Sequence, residues 1–414
     1  MKILKKYFVL LFFLPCIIDA SGGSVYTRYG IGDIYMSYSA RRLAMGGLGV
    51  AVPDVDYLGT VNPAAWYKLD MTRFETGINF QGSKIAQNSQ SAFYSQTDFS
   101  GFTIGFPVST KYGISLVGGL VPYSKVNYEV TATKTDPIVN DYQLDYKGTG
   151  GVSKIFLGTS YKLPFDFVLG ATFDYYTGEI ERTTAVTFDA AVDYRNATYI
   201  NRYSYRGVGF NFGFLSNDFS EMLGLGSISE LRLGVDYGVV ANMTVDTAWI
   251  ANSPNYSSTV ATGTVGSKLP YKLNLGISML YDKHLRIAAD YYYQPWGQYD
   301  FGSSAAANLT GLSKYSAGVE YRNDVTRATS FWEQIILRGG LSYETSQYIF
   351  GDENIKQYSI YAGFSLPLGI RNSLDFAFQY GKRGSTDNGL LTENIYNFSV
   401  SLSLGQLWFI REER

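Results

Sequence analysis

The stretch Gly207-Val208-Gly209-Phe210-Asn211-Phe212-Gly213-Phe214, "GVGFNFGF", carries glycine or asparagine at its odd positions and valine or phenylalanine at its even ones. A strand points successive side chains to opposite faces, so one face here is oily and the other nearly bare. The pattern recurs. Phe74, Thr76, Ile78 and Phe80 alternate with Glu75, Gly77, Asn79 and Gln81. Leu231, Leu233, Val235, Tyr237 and Val239 alternate with Arg232, Gly234, Asp236 and Gly238, and Tyr396, Phe398, Val400, Leu402 and Leu404 with Asn397, Ser399, Ser401 and Ser403. Period-two segments of about ten residues, separated by turn residues, are the mark of transmembrane barrel strands.

Fourteen such segments follow one another: 73–82, 98–107, 112–123, 149–162, 167–181, 200–215, 230–242, 269–281, 284–294, 313–322, 334–345, 357–367, 373–381 and 395–409. Every second connection is no longer than its neighbours, the rhythm of short periplasmic turns alternating with longer outer loops. The reading is all-β: a 14-stranded antiparallel transmembrane barrel in the outer membrane of a Gram-negative cell. The last strand, from Tyr396 to Phe409, should close against 73–82 with both termini periplasmic, and residues 124–148 and 182–199 should be outer loops. Phe210, Phe212 and Phe214 then face lipid, while Gly207, Gly209 and Gly213 leave room inside for a close backbone.

Composition agrees. Only 17% of the 414 residues are charged, aromatics reach 16%, and there are 36 tyrosines and 44 glycines. Mean hydropathy is −0.06, as expected when a lipid face and a watery face average out, and the strand region holds no apolar run long enough for a spanning helix. A net charge of −2 gives no basic excess for a nucleic-acid partner.

Lys2, Lys5 and Lys6 precede the apolar run Tyr7–Ile18, and Ala20-Ser21-Gly22-Gly23 follows it, the layout of a secretory signal peptide over 1–20. The only cysteine, Cys16, leaves with that segment, so no disulfide or thiol nucleophile is expected. Residues 21–72 do not alternate. They include Ser39-Ala40-Arg41-Arg42, Asp54 and Asp56, and read as a compact plug ahead of the barrel at 73–414. An asparagine before proline is held extended and bonds nearby backbone, so Asn62 suits a plug turn. An ordinary turn leading into the first strand is the other reading of Asn62.

In Ala44-Met45-Gly46-Gly47-Leu48-Gly49-Val50-Ala51 and Asn62-Pro63-Ala64 the chain resembles the FadL-type outer-membrane transporters of long-chain fatty acids and other hydrophobic compounds. Their N-terminal hatch carries an A-x-x-G-x-G-x-A stretch and an Asn-Pro-Ala motif before the first of fourteen strands. The resemblance makes Gly46, Gly47, Gly49, Asn62, Pro63 and Ala64 hatch residues. It also implies a lateral opening in the third strand, where Gly118, Gly119 and Pro122 mark a bulge or an edge. Leu407-Trp408-Phe409 would carry the assembly signal read by the barrel assembly machinery. Barrels of this shape also serve other machines, including the shuttle of type IX secretion.

Catalysis finds little support. The single histidine, His284, falls at a rim beside the turn Asp282-Lys283, and Asp174, Asp236, Asp290 and Glu320 are inward residues of the kind a watery lumen tolerates. No residues are expected to be catalytic, to bind a metal or to hold a cofactor, and the protein is read as a non-enzyme. Two functions are in play. One is passive uptake of a hydrophobic small molecule or lipid, through a pocket begun by Tyr128, Ile138, Val139, Tyr142 and Tyr146. The alternative is a non-transporting barrel, set among outer-membrane lipids, that docks a secretion-system or surface protein. An apolar lining near the outer loops favours the first; a polar lumen favours the second.

Overall fold

The computed structural model describes residues 23–47, 49–87, 90–136, 140–188, 195–302, 304–305, 308–323, 330–369, 371–385 and 390–407. The signal segment 1–20 with Cys16, the pocket candidates Ile138 and Val139, and Trp408 and Phe409 lie outside these.

Alternation dictates strands, and strands fill the chain. β1 (Thr72–Gln87), β2 (Gln90–Ser109), β3 (Ile114–Asp136), β4 (Asn140–Lys162), β5 (Val168–Phe188), β6 (Ala197–Leu215) and β7 (Ile228–Val240) follow in antiparallel order. A hairpin, β8 (Met243–Ser253) and β9 (Tyr256–Lys268), comes next. Then come β10 (Lys272–Tyr281), β11 (Leu285–Pro295), β12 (Gly311–Tyr321), β13 (Ile336–Phe350), β14 (Glu353–Pro367), β15 (Ser373–Arg383) and β16 (Thr392–Gln406). β7 pairs directly with β10, and β16 pairs with β1 from Thr392↔Ala86 to Gln406↔Thr72. The ring β1–β7, β10–β16 therefore closes as a fourteen-stranded antiparallel barrel.

The outside is oily. Phe210 and Phe212 are 45% and 51% exposed, alongside Ile78, Phe99, Leu157, Phe173, Leu233, Ile277, Leu341, Ile360 and Phe398. Tyrosines meet across neighbouring strands, Tyr291 with Tyr315 at 4.8 Å and Tyr343 with Tyr358 at 5.0 Å between ring centres, as an interfacial aromatic girdle does.

Both expected outer loops are largely strand in their described residues: 124–136 and 140–148 are the arms of β3 and β4, paired out to Asp136↔Asn140, and within 182–199 β5 runs to Phe188 and β6 starts at Ala197. The connection 243–268 holds the β8–β9 hairpin, with β8 extending the line of β7 against β6. Beyond the membrane both strand faces meet water, so apolar alternation fades while threonine and valine keep the chain extended. The arms give the barrel a hairpin end; the opposite turn end has short links such as 110–113 and 282–284.

The two ends of the described residues also part company. Gln406 ends at the turn end beside Thr72. The N-terminal segment instead starts at the hairpin end, where the Tyr26 hydroxyl donates to Leu391 O at 2.6 Å and Tyr26 packs on Phe350. It then runs the length of the lumen to Thr72. Along the way Ala40 N donates to Ser401 Oγ, the Ser278 hydroxyl to Ala51 O, and the Ser115 hydroxyl to Trp66 O. One part of the bare face of the opening stretch is explained here: a Cβ placed on Gly213 would stand 2.1 Å from Asn62 Oδ1, and one on Gly170 2.4 Å from Ala64 N, whereas Gly207 and Gly209 lie against Met243 and Tyr176 instead. Only glycine lets the inner wall and this segment meet backbone to backbone.

Candidate functional site

The lumen is built in layers from the turn end upward. Asn62 caps the 3-10 turn Pro63–Lys68, accepting from Ala64 N at 3.0 Å. Its amide nitrogen donates to Val50 O at 2.8 Å and to Phe214 O of β6 at 3.1 Å. One buried side chain thus ties two parts of the segment to the wall. Trp66, also buried, stacks on Phe156 and donates to Gly59 O.

Gly46, Gly47 and Gly49 all adopt positive φ, 91°, 98° and 116°, which side chains rarely tolerate. The turn they make aims the N–H groups of Gly49 and Val50 at the Asp290 carboxylate, both at 3.0 Å. It also lets Met45 and Gly46 lie against Gly318 and Gly340 of the wall.

Beside that turn lies a buried charge cluster. Arg41 pairs with Asp54 at 2.5 Å and with Glu320 at 3.5 Å; Arg322 reaches Glu320 at 2.6 Å and Asp54 at 3.3 Å. Arg338 meets Glu320 at 2.6 Å and Asp375 at 3.6 Å. Three guanidinium groups so face three carboxylates, the residue type that satisfies several oxygens at once. Burial alone would raise the Asp54 carboxyl, but Arg41 and Arg322 outweigh it and hold it well below the usual range. The other inward acids are partnered too: Asp236 by Asn211, Asn274 and Lys272, and Asp174 by Thr172 and Lys154. His284 sits at the turn end with its Nδ1 3.1 Å from Arg322 O.

Above the cluster, toward the hairpin end, is a cavity of about 160 Å³ between the segment and the wall. Its lining includes Asn79, Gln81, Gln96, Asn127, Gln379 and Asn397, with Lys125, Lys314, Glu344 and Arg383. Among the described residues the carbonyl oxygens of Asn79 and Asn397 have no hydrogen-bond partner.

The wall beside this cavity is incomplete. β2 and β3 pair only from Ser109↔Ile114 to Phe102↔Leu120; above that β2 keeps β1 and β3 keeps β4. The upper part of β3 is taken from the inside by Asp33–Ile34, paired with Lys125 and Ser124. Side chains bridge the break: Lys125 to Asp98, Asn127 to Gln96, and the Tyr35 hydroxyl to Asp98 at 3.2 Å. The irregularity in β3 falls between Pro122 and Ser124. Gly118 and Gly119 lie below it in intact ladder, opposite Ile104 and Thr103.

Of the described pocket candidates, two meet and one stands apart. Tyr128 is buried in an aromatic and aliphatic cluster that Tyr26 and Ile31 of the segment fill, together with Tyr176, Ile180 and Tyr205; Tyr146 packs on its edge. Tyr142 lies out on the β4 arm, 5.8 Å from the ring of Phe188. Sequence reasoning missed the charge cluster. Its one signal was Arg41-Arg42 in a run of small apolar residues, where an arginine must be matched by acids elsewhere.

Solved structures of like shape carry the same ring. They include the CymD monoaromatic hydrocarbon channel (14% identity over 91% of this chain and 99% of that one, TM-score 0.59). The Ralstonia pickettii toluene transporter TbuX matches at 16% identity over 90% and 99%, TM-score 0.59. A Pseudomonas aeruginosa FadL homologue matches at 12% over 91% and 98%, TM-score 0.55. At such identities the likeness speaks for the fold, a FadL-like barrel. No curated protein is significantly similar to the sequence. One family model spans nearly all of it, residues 2–413, covering segment and barrel alike. On that match, the chain belongs to the BamG family.

Proposed function

We propose that this chain is a non-transporting barrel of the Gram-negative outer membrane, plugged by its own N-terminal segment, that serves as a docking subunit for protein partners. The observation that carries this reading is the chemistry of the space behind the wall break. Amides and charged groups line it beside Ile34, Met36, Leu43, Leu312 and Ile395, and a hydrocarbon entering would strip those polar groups of water without replacing their hydrogen bonds. Below it, the Arg41–Glu320 cluster and the Asn62 turn fill the lumen. A barrel that keeps its bore filled and extends long hairpin arms is suited to holding other proteins. The reading is of a non-enzyme.

A second reading, passive uptake of hydrophobic small molecules with lateral exit, has its own support. The β2–β3 ladder parts beside the cavity, and structures of like fold are titled hydrocarbon channels and a toluene transporter. On this reading Tyr26 and Ile31 occupy the greasy site that ligand would take. A deletion strain separates the two. Docking expects unchanged uptake of toluene and of long-chain fatty acid, together with loss of a larger outer-membrane complex on native electrophoresis. Loss of uptake with every complex intact would overturn docking in favour of the channel.

A further inference from the structure

β9 pairs with β8 along one edge, from Tyr256↔Ser253 to Ser267↔Met243. On its other edge only its foot is covered: Ser267 and Lys268 meet Asp300–Phe301, and Gly302 N donates to Gly266 O at 2.8 Å. Among the described residues no strand pairs with that edge from Tyr256 to Val265. The strand stands clear of the body, with Tyr256 67% and Val260 52% exposed.

Free edges present unpaired N–H and C=O groups, and proteins guard them with charge, proline or cover. This one has none of these. Tyr-Ser-Ser-Thr-Val-Ala-Thr-Gly-Thr-Val, residues 256–265, holds no charged residue and no proline. The arm of β3, whose ladder with β2 stops at Phe102↔Leu120, by contrast carries Glu129, Lys134 and Asp136. Asp246 of β8, opposite Thr264, is already matched by Arg206 at 2.5 Å. Of these two parted edges, only that of β9 lacks charge.

We propose that the edge Tyr256–Val265 accepts an extended, uncharged segment of a partner protein as an added antiparallel strand. Backbone hydrogen bonds would give such a segment its affinity, and the small Ser, Thr and Ala side chains leave the approach open. A second copy of this chain does not fit. Two barrels in one membrane share their orientation, so a two-fold axis between them runs along the membrane normal. With strands tilted about 35–45°, that axis sets the two copies of β9 across each other rather than side by side. The proposal rests on the docking reading and gives it a surface.

The test is amide hydrogen exchange on the full chain in isolated outer membranes, against the purified protein in detergent and in liposomes of pure phospholipid. Exchange over Tyr256–Val265 should be at least tenfold slower in the native membrane. The double variant Thr259→Lys, Thr262→Lys, at two exposed positions, should restore fast exchange there while protection in β1–β7 stays unchanged. Equal rates in membrane and detergent overturn the proposal. So does protection in pure liposomes, which assigns the edge to a second copy. Native electrophoresis of the wild type separates the two failures: a larger species with a fast-exchanging edge removes this inference alone, and a lone barrel removes docking as well.

Discussion

Replacing Asn62 with alanine tests whether the segment is held by a single hub. The side chain accepts from Ala64 N and donates to Val50 O and Phe214 O, so three hydrogen bonds go at once. Each is worth about 1 kcal/mol, and more where the partner left behind is buried and unpaired. The sum, roughly 3 kcal/mol, is about a hundredfold in the equilibrium between docked and released segment, since 1.4 kcal/mol is tenfold. Hydrogen exchange at Val50 and Ala64 reads that equilibrium directly and should quicken by about that factor, while the β-ladder amides of β5 and β6 should not move. Asn62→Asp should loosen the segment further, because it turns a carboxylate toward two carbonyl oxygens. Exchange within threefold of wild type in the alanine variant would refute the hub, leaving Asn62 as an ordinary turn before β1.

Gly213→Val should prevent the segment from seating, because its Cβ would fall 2.1 Å from Asn62 Oδ1, whereas Gly226→Val, with no atom within 4 Å, should be silent; protease sensitivity of residues 23–71 in intact barrels compares them. Arg338→Met removes the cation shared by Glu320 and Asp375 and should cost about 3–5 kcal/mol, the usual penalty for stranding a buried partner, measured as a fall in the temperature at which the barrel loses its folded gel mobility. Asp54 is held below its ordinary value, so its contribution is complete above the unfolded carboxylate value of about 3.9 and is lost as pH falls through the lower folded one. The segment should therefore stay protease-resistant down to about pH 4 and loosen in stronger acid, with Asp54→Asn weakening it at neutral pH and flattening the dependence. Deleting residues 24–60 should convert a silent barrel in planar bilayers into one that conducts small ions; unchanged conductance would remove the plug from the account.

The barrel was legible because lipid enforces it. Phe210 and Phe212 must face out, so the period of two in Gly207–Phe214 survives as a signal, and the strand count with it. Lysine and aspartate at 134, 136, 141 and 145 erased the same signal in the arms of β3 and β4, since water on both faces asks for no alternation. Asn62-Pro63-Ala64 was found from its motif, but the reason for it, an amide bridging Val50 and Phe214, ties Asn62 to a residue 152 positions further along the chain. The break between β2 and β3 was anticipated near Gly118-Gly119. Those glycines stay in register, and the ladder parts above them, because Asp33–Ile34 rather than β2 lies along the next stretch of β3. The cluster around Glu320 needed four distant regions to meet, and no spacing along one of them announces it.

The route of residues 23–72 sets the order in which the molecule can be made. Ser24 donates to Glu393 on the last strand, a separation of 369 residues, and Asp56 O accepts from Ser403 Oγ while Arg73 reaches that same hydroxyl at 3.0 Å. These bonds lie at the seam where β16 meets β1. A finished cylinder offers no way to thread in a chain touching both rims and every side of the bore. The sheet must be wound around the segment as around a mandrel, and the seam sealed last. The residues synthesised first then wait, unpaired, for those synthesised at the end. Loop-closure entropy makes that wait long, so a host that hurries the final strand into place gains more for this chain than one that steadies its beginning.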